Sequence, residues 1–148
     1  MPYRISFESD PHAADINVLA NGVLENIRDK GEEEAFDHFA FFIRDEKNQI
    51  LGGVDGEIWR GCLHIHHLWV DEAIRGAGYG AKLMLSAENL GSEKGCTFAA
   101  ANTTDLVVVS FYKKLGYEIE FERRGYLKKS ILYFMRRDLP VTQTGKEN

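Results

Sequence analysis

Residues 75–83 read RGAGYGAKL. One arginine is followed by glycines at 76, 78 and 80, and four residues separate it from the largely apolar run LHIHHLWV at 63–70. That run reads as a strand, and from Tyr79 onward Leu83, Met84, Ala87 and Leu90 share one helical face. The glycines therefore fall where a strand ends and a helix begins. A helix N-terminus presents unpaired N–H groups and a partial positive charge, which favours phosphate. Glycines remove side chains from that approach, and Arg75 adds a planar cationic donor. A tight strand-to-helix turn would use one such glycine and seldom three.

Working outward, YRISFE (3–8) alternates as a first strand. SDPHAADINVLANGVLENIRDKG (9–31) then carries Ile16, Leu19, Ala20, Val23, Leu24 and Ile27 on one helical stripe, with Asp10 as N-cap, Pro11 in the first turn and Gly31 as the stop. DHFAFFIRDEKNQILGGVDGEIWRGCLHIHHLWV (37–70) predicts a three-stranded meander turning at EKNQ and at RG. After the helix from Tyr79, stopped by KGC (94–96), CTFAAAN is a short buried strand. DLVVVSFYKKLG (105–116) is a short helix capped by Asp105 and stopped by Gly116. YEIEFER and SILYFMRRDL close the fold as two strands. Residues 140–148 lack apolar periodicity and read as a disordered tail, leaving one domain over 1–139.

The chain has 148 residues, 44% hydrophobic and 28% charged, with a net charge of −5. Those values suit a globular protein of ordinary composition and give the wrong sign for a nucleic-acid binder. No run approaches the roughly 20 apolar residues of a membrane span, and the start carries no signal-peptide pattern, so a cytoplasmic protein is expected. Cys62 and Cys96 lie in apolar segments without CxxC spacing and read as buried hydrophobes.

Three phosphate-binding patterns compete for 75–83. The GxxxxGK[ST] pattern fails, because Ala81 takes the second glycine's place and Leu83 follows Lys82 where a hydroxyl should stand. GxGxxG/A matches literally as Gly76, Gly78 and Ala81. Its context is wrong, since the next strand ends in Asn102 instead of an acid. The third pattern is RxxGxG, formed by Arg75, Gly78 and Gly80.

With that third pattern, LHIHHLWVDEAIRGAGYGAKLM (63–84) resembles the pyrophosphate-binding segment of the GNAT superfamily of acyl-CoA-dependent N-acyltransferases, and SFYKKLGYE (110–118) is similar to that family's second signature. The order of elements from Tyr3 to Leu139 follows the family as well. The resemblance implies an α/β (α+β) fold: a mixed, mostly antiparallel sheet of six to seven strands flanked by about three to four helices. It implies acetyl-CoA as co-substrate, its pyrophosphate held by the backbone of Gly76, Ala77, Gly78, Tyr79, Gly80 and Ala81 with Arg75 opening the loop. Leu68, Trp69 and Val70 would lend main-chain groups to the pantetheine arm, in a gap where this strand splays from the next, and Asn102 would touch the same arm. Tyr112 matches the tyrosine that protonates the departing thiolate in many members. Asp105 and Val108 stand where many members carry asparagine and alanine. Homodimers are frequent in the family.

The chemistry of amine acetylation also sets requirements of its own. An amine with a pKa near about 10.4 arrives protonated and must lose a proton before it attacks a thioester. On an alternating strand His64 and His66 share one face, opposite Leu63, Ile65, His67 and Trp69. Two imidazoles there suit a base, and counted back from Arg75 they fall where arylalkylamine N-acetyltransferases carry paired histidines. Glu57 on the neighbouring strand is a reserve base. A zinc reading of the pair finds no third ligand on that face, so no metal is expected. His67 reads as structural.

The expected activity is acetyl transfer to the primary amine of a small molecule, by direct attack in a ternary complex. A protein or peptide amine acceptor and a non-catalytic acyl-CoA-binding module are the alternatives. Arg123, Arg124, Lys128 and Lys129 form a basic run and GEEEAFDH (31–38) an acidic one; they argue for opposite acceptors, and both read as solvated loops.

Overall fold

The computed structural model describes residues 2–29 and 37–140. The chain divides into two units, Met1–Ala35 and Phe36–Asn148. The predicted stop at Gly31, the acidic run at 32–34 and the tail from 141 lie outside the described residues.

In the first unit α1 spans Ala13–Asp29. Its first turn is built on the His12 carbonyl, which accepts from the N–H groups of Asp15 and Ile16 at 3.0 and 3.2 Å. The helix thus opens after Asp10 and Pro11, which do not cap it. Residues 3–8 form no strand. Alternation makes a strand only where another strand completes the hydrogen-bond ladder, and among the described residues none does so for this stretch.

The second unit contains a six-stranded sheet in the order β1-β2-β3-β4-β6-β5. Its strands are β1 (Asp37–Arg44), β2 (Ile50–Trp59), β3 (Cys62–Val70), β4 (Phe98–Thr103), β5 (Glu118–Arg123) and β6 (Leu132–Asp138). Only β3 and β4 run parallel, so the sheet is mixed and mostly antiparallel, as expected. Local chemistry sets the meander's turns. The Asp45 carboxylate accepts from the N–H groups of Lys47 and Gln49 in the first. Arg60 and Gly61 both take positive φ (51° and 80°) in the second, the two-residue geometry that matches strand twist.

Two helices follow, α2 (Tyr79–Glu93) and α3 (Leu106–Lys114), the latter capped as predicted by Asp105, whose side chain accepts from the Val107 N–H. Both helices join one core. Val54, Ile58, Leu63 and Ile65 of the sheet meet Leu83, Met84 and Ala87 of α2 and Val109 and Tyr112 of α3. A buried polar tie crosses this layer. Glu88 accepts from the Tyr117 hydroxyl at 2.7 Å and from the Arg137 guanidinium at 2.6 Å, linking α2 to both arms at the open end of the β5–β6 hairpin. No helix among the described residues is long and apolar enough to cross a membrane.

Candidate active site

The site is organised by one irregularity in the sheet. Glu57 pairs with His64 and Gly56 with Ile65, but Asp55 pairs with His67, so His66 is an extra residue on β3. Gly56 makes this bulge possible, because a Cβ there would fall into the carbonyl oxygen of His64. Beyond the bulge the alternation reverses. Leu63, Ile65, Leu68 and Val70 belong to the core side, whereas His64, His67 and Trp69 look to the second face. This corrects the expectation that His67 and Trp69 lie opposite His64. His67 is paired there with Asp55, Nδ1 to Oδ1, at 2.8 Å.

The second consequence concerns β4. It pairs with β3 at only three positions, Cys62↔Phe98, Leu63↔Ala99 and His64↔Ala100. From there the strands part, and the gap is a cleft of about 690 Å³. Its walls include Leu68, Trp69 and Val70 from β3, Asn102 from β4, and Phe111 and Tyr112 from α3. Arg75, Gly76 and Gly80 close its far end. The expected splay and the residues foreseen along it are thus at one cleft.

The three glycines of the opening motif have different jobs. Gly76 and Gly78 take φ of 84° and 85°, a left-handed conformation that costs other residues roughly 1–2 kcal/mol. A Cβ on either would meet nothing within 4 Å, so the space above the loop is open. Gly80 instead makes room for a neighbour, since a Cβ there would stand 3.3 Å from the Phe111 ring. Gly78 caps α2 without any side-chain hydrogen bond, leaving the first-turn N–H groups of Tyr79, Gly80 and Ala81 without a side-chain cap. Arg75 is anchored by its Nε, which donates to the Val70 carbonyl at 2.8 Å. The loop therefore fits an anionic diphosphate: unobstructed backbone, a helix N-terminus and a fixed guanidinium. Ala77 completes the same loop.

A second cavity, about 450 Å³, lies on the other side of Asn102, which lines both. His64, Glu57, Trp59, Phe98 and Phe134 are among its walls. The imidazoles bridge the two spaces: His66 lines the cleft, His64 lines the smaller cavity, and their rings meet edge to face with centroids 4.9 Å apart. Glu57 stands beside them, its Oε2 3.8 Å from His66 Nε2 and its Oε1 3.9 Å from His38 Nδ1. The expectation that no third ligand shares the His64–His66 face fails, because Glu57 is the cross-strand partner of His64. The signal was present in the GGVDGE segment, but reading it requires the β2–β3 register.

The electrostatics set the imidazole and the phenol of the site apart. Burial lowers the His64 pKa below its ordinary 6.5 and the neighbouring His66 lowers it further, while Glu57 pulls it back up. A neutral imidazole is thus favoured at neutral pH. Burial pushes the Tyr112 hydroxyl up to about 12, so it stays protonated. Cys62, which also lines the smaller cavity, is pushed up to about 11 by burial and is no thiolate nucleophile. Of the basic run, Arg124 pairs with Glu122 at 2.8 Å and Arg123 stacks over the Phe134 ring, consistent with a solvated hairpin.

Comparison with known proteins agrees with this geometry. Residues 10–117 match the model of the Acetyltransferase (GNAT) family. The chain is 33% identical over 89 residues to blasticidin-S acetyltransferase of Streptomyces morookaense, a match covering 60% of this chain and 65% of that protein. A solved protein of Agrobacterium tumefaciens superposes with a TM-score of 0.83 at 20% identity, over 93% of this chain and 100% of its own. A Bacillus anthracis structure in complex with acetyl coenzyme A superposes with a TM-score of 0.63 at 18% identity, over 70% of this chain and 63% of its own. These last two show the shared fold. With the glycine loop, the parted strands and a family match that spans both, the chain belongs to the GNAT family of acetyltransferases.

Proposed function

We propose that the chain transfers acetyl from acetyl-CoA to the primary amine of a small molecule, by direct attack in a ternary complex. The observation that carries this reading is the pair of cavities sharing Asn102. One, of about 690 Å³, ends at the glycine loop; the other, of about 450 Å³, is partly aromatic and lined by Glu57 and His64. A volume near 450 Å³ suits a small acceptor better than a polypeptide segment. The similarity to a blasticidin-S acetyltransferase supports the same class of acceptor.

In this reading the loop from Arg75 to Ala81 holds the pyrophosphate, and Leu68 to Val70 pair with the pantetheine arm as an added strand would. Glu57 attracts the cationic acceptor. His64 takes the ammonium proton, with His66 and Glu57 leading it toward His38, whose side chain is 74% exposed. The freed amine attacks the thioester carbonyl, and backbone N–H groups at the bulge stabilise the oxyanion. The carbon–sulfur bond then breaks, the nitrogen's second proton passes to the departing thiolate, and the Tyr112 hydroxyl donates a hydrogen bond to that sulfur. The test is thiol release from acetyl-CoA over a panel of small primary amines beside lysine-bearing peptides. Turnover with a small amine and little with peptides is expected. Turnover confined to peptides would overturn the acceptor class, and binding of acetyl-CoA without any transfer would reduce the chain to a binding module.

A further inference from the structure

We propose that Glu57, His64 and His66 form a binding site for a divalent transition metal, zinc by the nature of its donors, on the second face of the sheet. One ligand atom from each residue lies within 4.8 Å of the others. Tetrahedral zinc with bonds of about 2.0–2.1 Å needs donors about 3.4 Å apart. The His66–Glu57 separation is already 3.8 Å, so side-chain rotation closes the rest. The backbone is prearranged for this. Glu57 and His64 are directly opposed across β2 and β3, and the bulge places His66 beside both. Two imidazoles and one carboxylate form a known zinc donor set that leaves a fourth position free, while the absence of a thiolate argues against a closed structural site. His38, 3.9 Å from the second Glu57 oxygen, is placed to orient that carboxylate from outside.

The site has a consequence for turnover that rests on the function proposed above. Zinc would occupy the imidazole lone pairs that the acceptor's proton needs, so metal and acetyl transfer should exclude each other. Free zinc would then act as a reversible inhibitor, relieved by a chelator.

The experiment is calorimetric titration of the metal-free protein with Zn²⁺, repeated with Co²⁺ to read its visible ligand-field bands. One equivalent per chain and the intense bands of four-coordinate Co²⁺ are expected. Glu57→Gln, His64→Ala and His66→Ala should each weaken binding at least tenfold, and the triple variant should abolish it. Cys62→Ser and His67→Ala should bind as the parent does. All three ligands reach the surface or a cavity, and a melt of each variant confirms folding. Lack of stoichiometric binding, or binding undiminished in the triple variant, would overturn the site. Because the readout is metal binding, a failure of acetyl transfer would overturn the proposed function and leave this proposal standing.

Discussion

Tyr112→Phe removes one hydroxyl from the wall of the cleft and leaves the ring in the core, where the residue is 5% exposed. The size of the effect follows from what that hydroxyl can do. Burial raises its pKa to about 12, against about 8.5 for a departing thiol, so outright proton transfer would be uphill by about 5 kcal/mol. In the proposed reaction Tyr112 would therefore act as a hydrogen-bond donor to the developing thiolate. A hydrogen bond to a charged group contributes about 1.5–3 kcal/mol, which corresponds to a loss of roughly 10- to 150-fold in kcat. Full general acid catalysis would cost more, on the order of 100- to 10,000-fold. The assay is steady-state thiol release at saturating amine, with KM for acetyl-CoA measured alongside. A 10- to 150-fold loss in kcat with little change in KM is expected. An unchanged kcat would remove Tyr112 from the mechanism, and a loss appearing only in KM would make it a binding residue.

The pH profile gives a second test. Because burial and His66 hold the His64 pKa below 6.5, the acid limb of kcat should fall below that pH. Glu57 raises this pKa, so Glu57→Gln should move the limb to still lower pH; a shift upward would contradict the assignment. Glu88→Ala leaves the Tyr117 hydroxyl and Arg137 without their shared acceptor. A cost of about 3 kcal/mol is expected, at the low end for a broken buried pair because Arg137 is partly exposed. The melting temperature should fall on the order of 6–12 °C, with Glu88→Gln milder. Gly56→Val should force β3 off the bulge, costing about 1–3 kcal/mol by overpacking and abolishing turnover together. Normal activity in that variant would mean that the bulge does not set the site.

Much of this was legible in the sequence because it is local. The caps of α3, the turn at Arg60–Gly61 and the glycines of 75–83 each follow from the conformation of a few consecutive residues. Even so, RGAGYGAKL does not reveal that Gly80 serves the Phe111 ring, a contact made across about 30 residues. Apart from the start of α1, where His12 and not Asp10 opens the helix, the misreadings were non-local. Simple alternation put His67 and Trp69 on the wrong face, because the extra residue at His66 depends on a missing Cβ at Gly56 on another strand. The same register hid Glu57 from the His64–His66 face. Tyr3–Glu8 alternates as a strand should, and alternation cannot say whether a ladder partner exists.

Everything proposed for the reaction depends on acetyl-CoA binding in the cleft between β3 and β4, closed by the loop from Arg75 to Ala81. A thermal melt with and without acetyl-CoA, with NADH as control, tests it most directly. At a hundredfold excess over Kd, binding to the folded state alone adds about 2.7 kcal/mol, a rise on the order of 5–10 °C. That rise with acetyl-CoA and none with NADH is the predicted result. No rise with acetyl-CoA, or a rise with NADH instead, would contradict the account at its base.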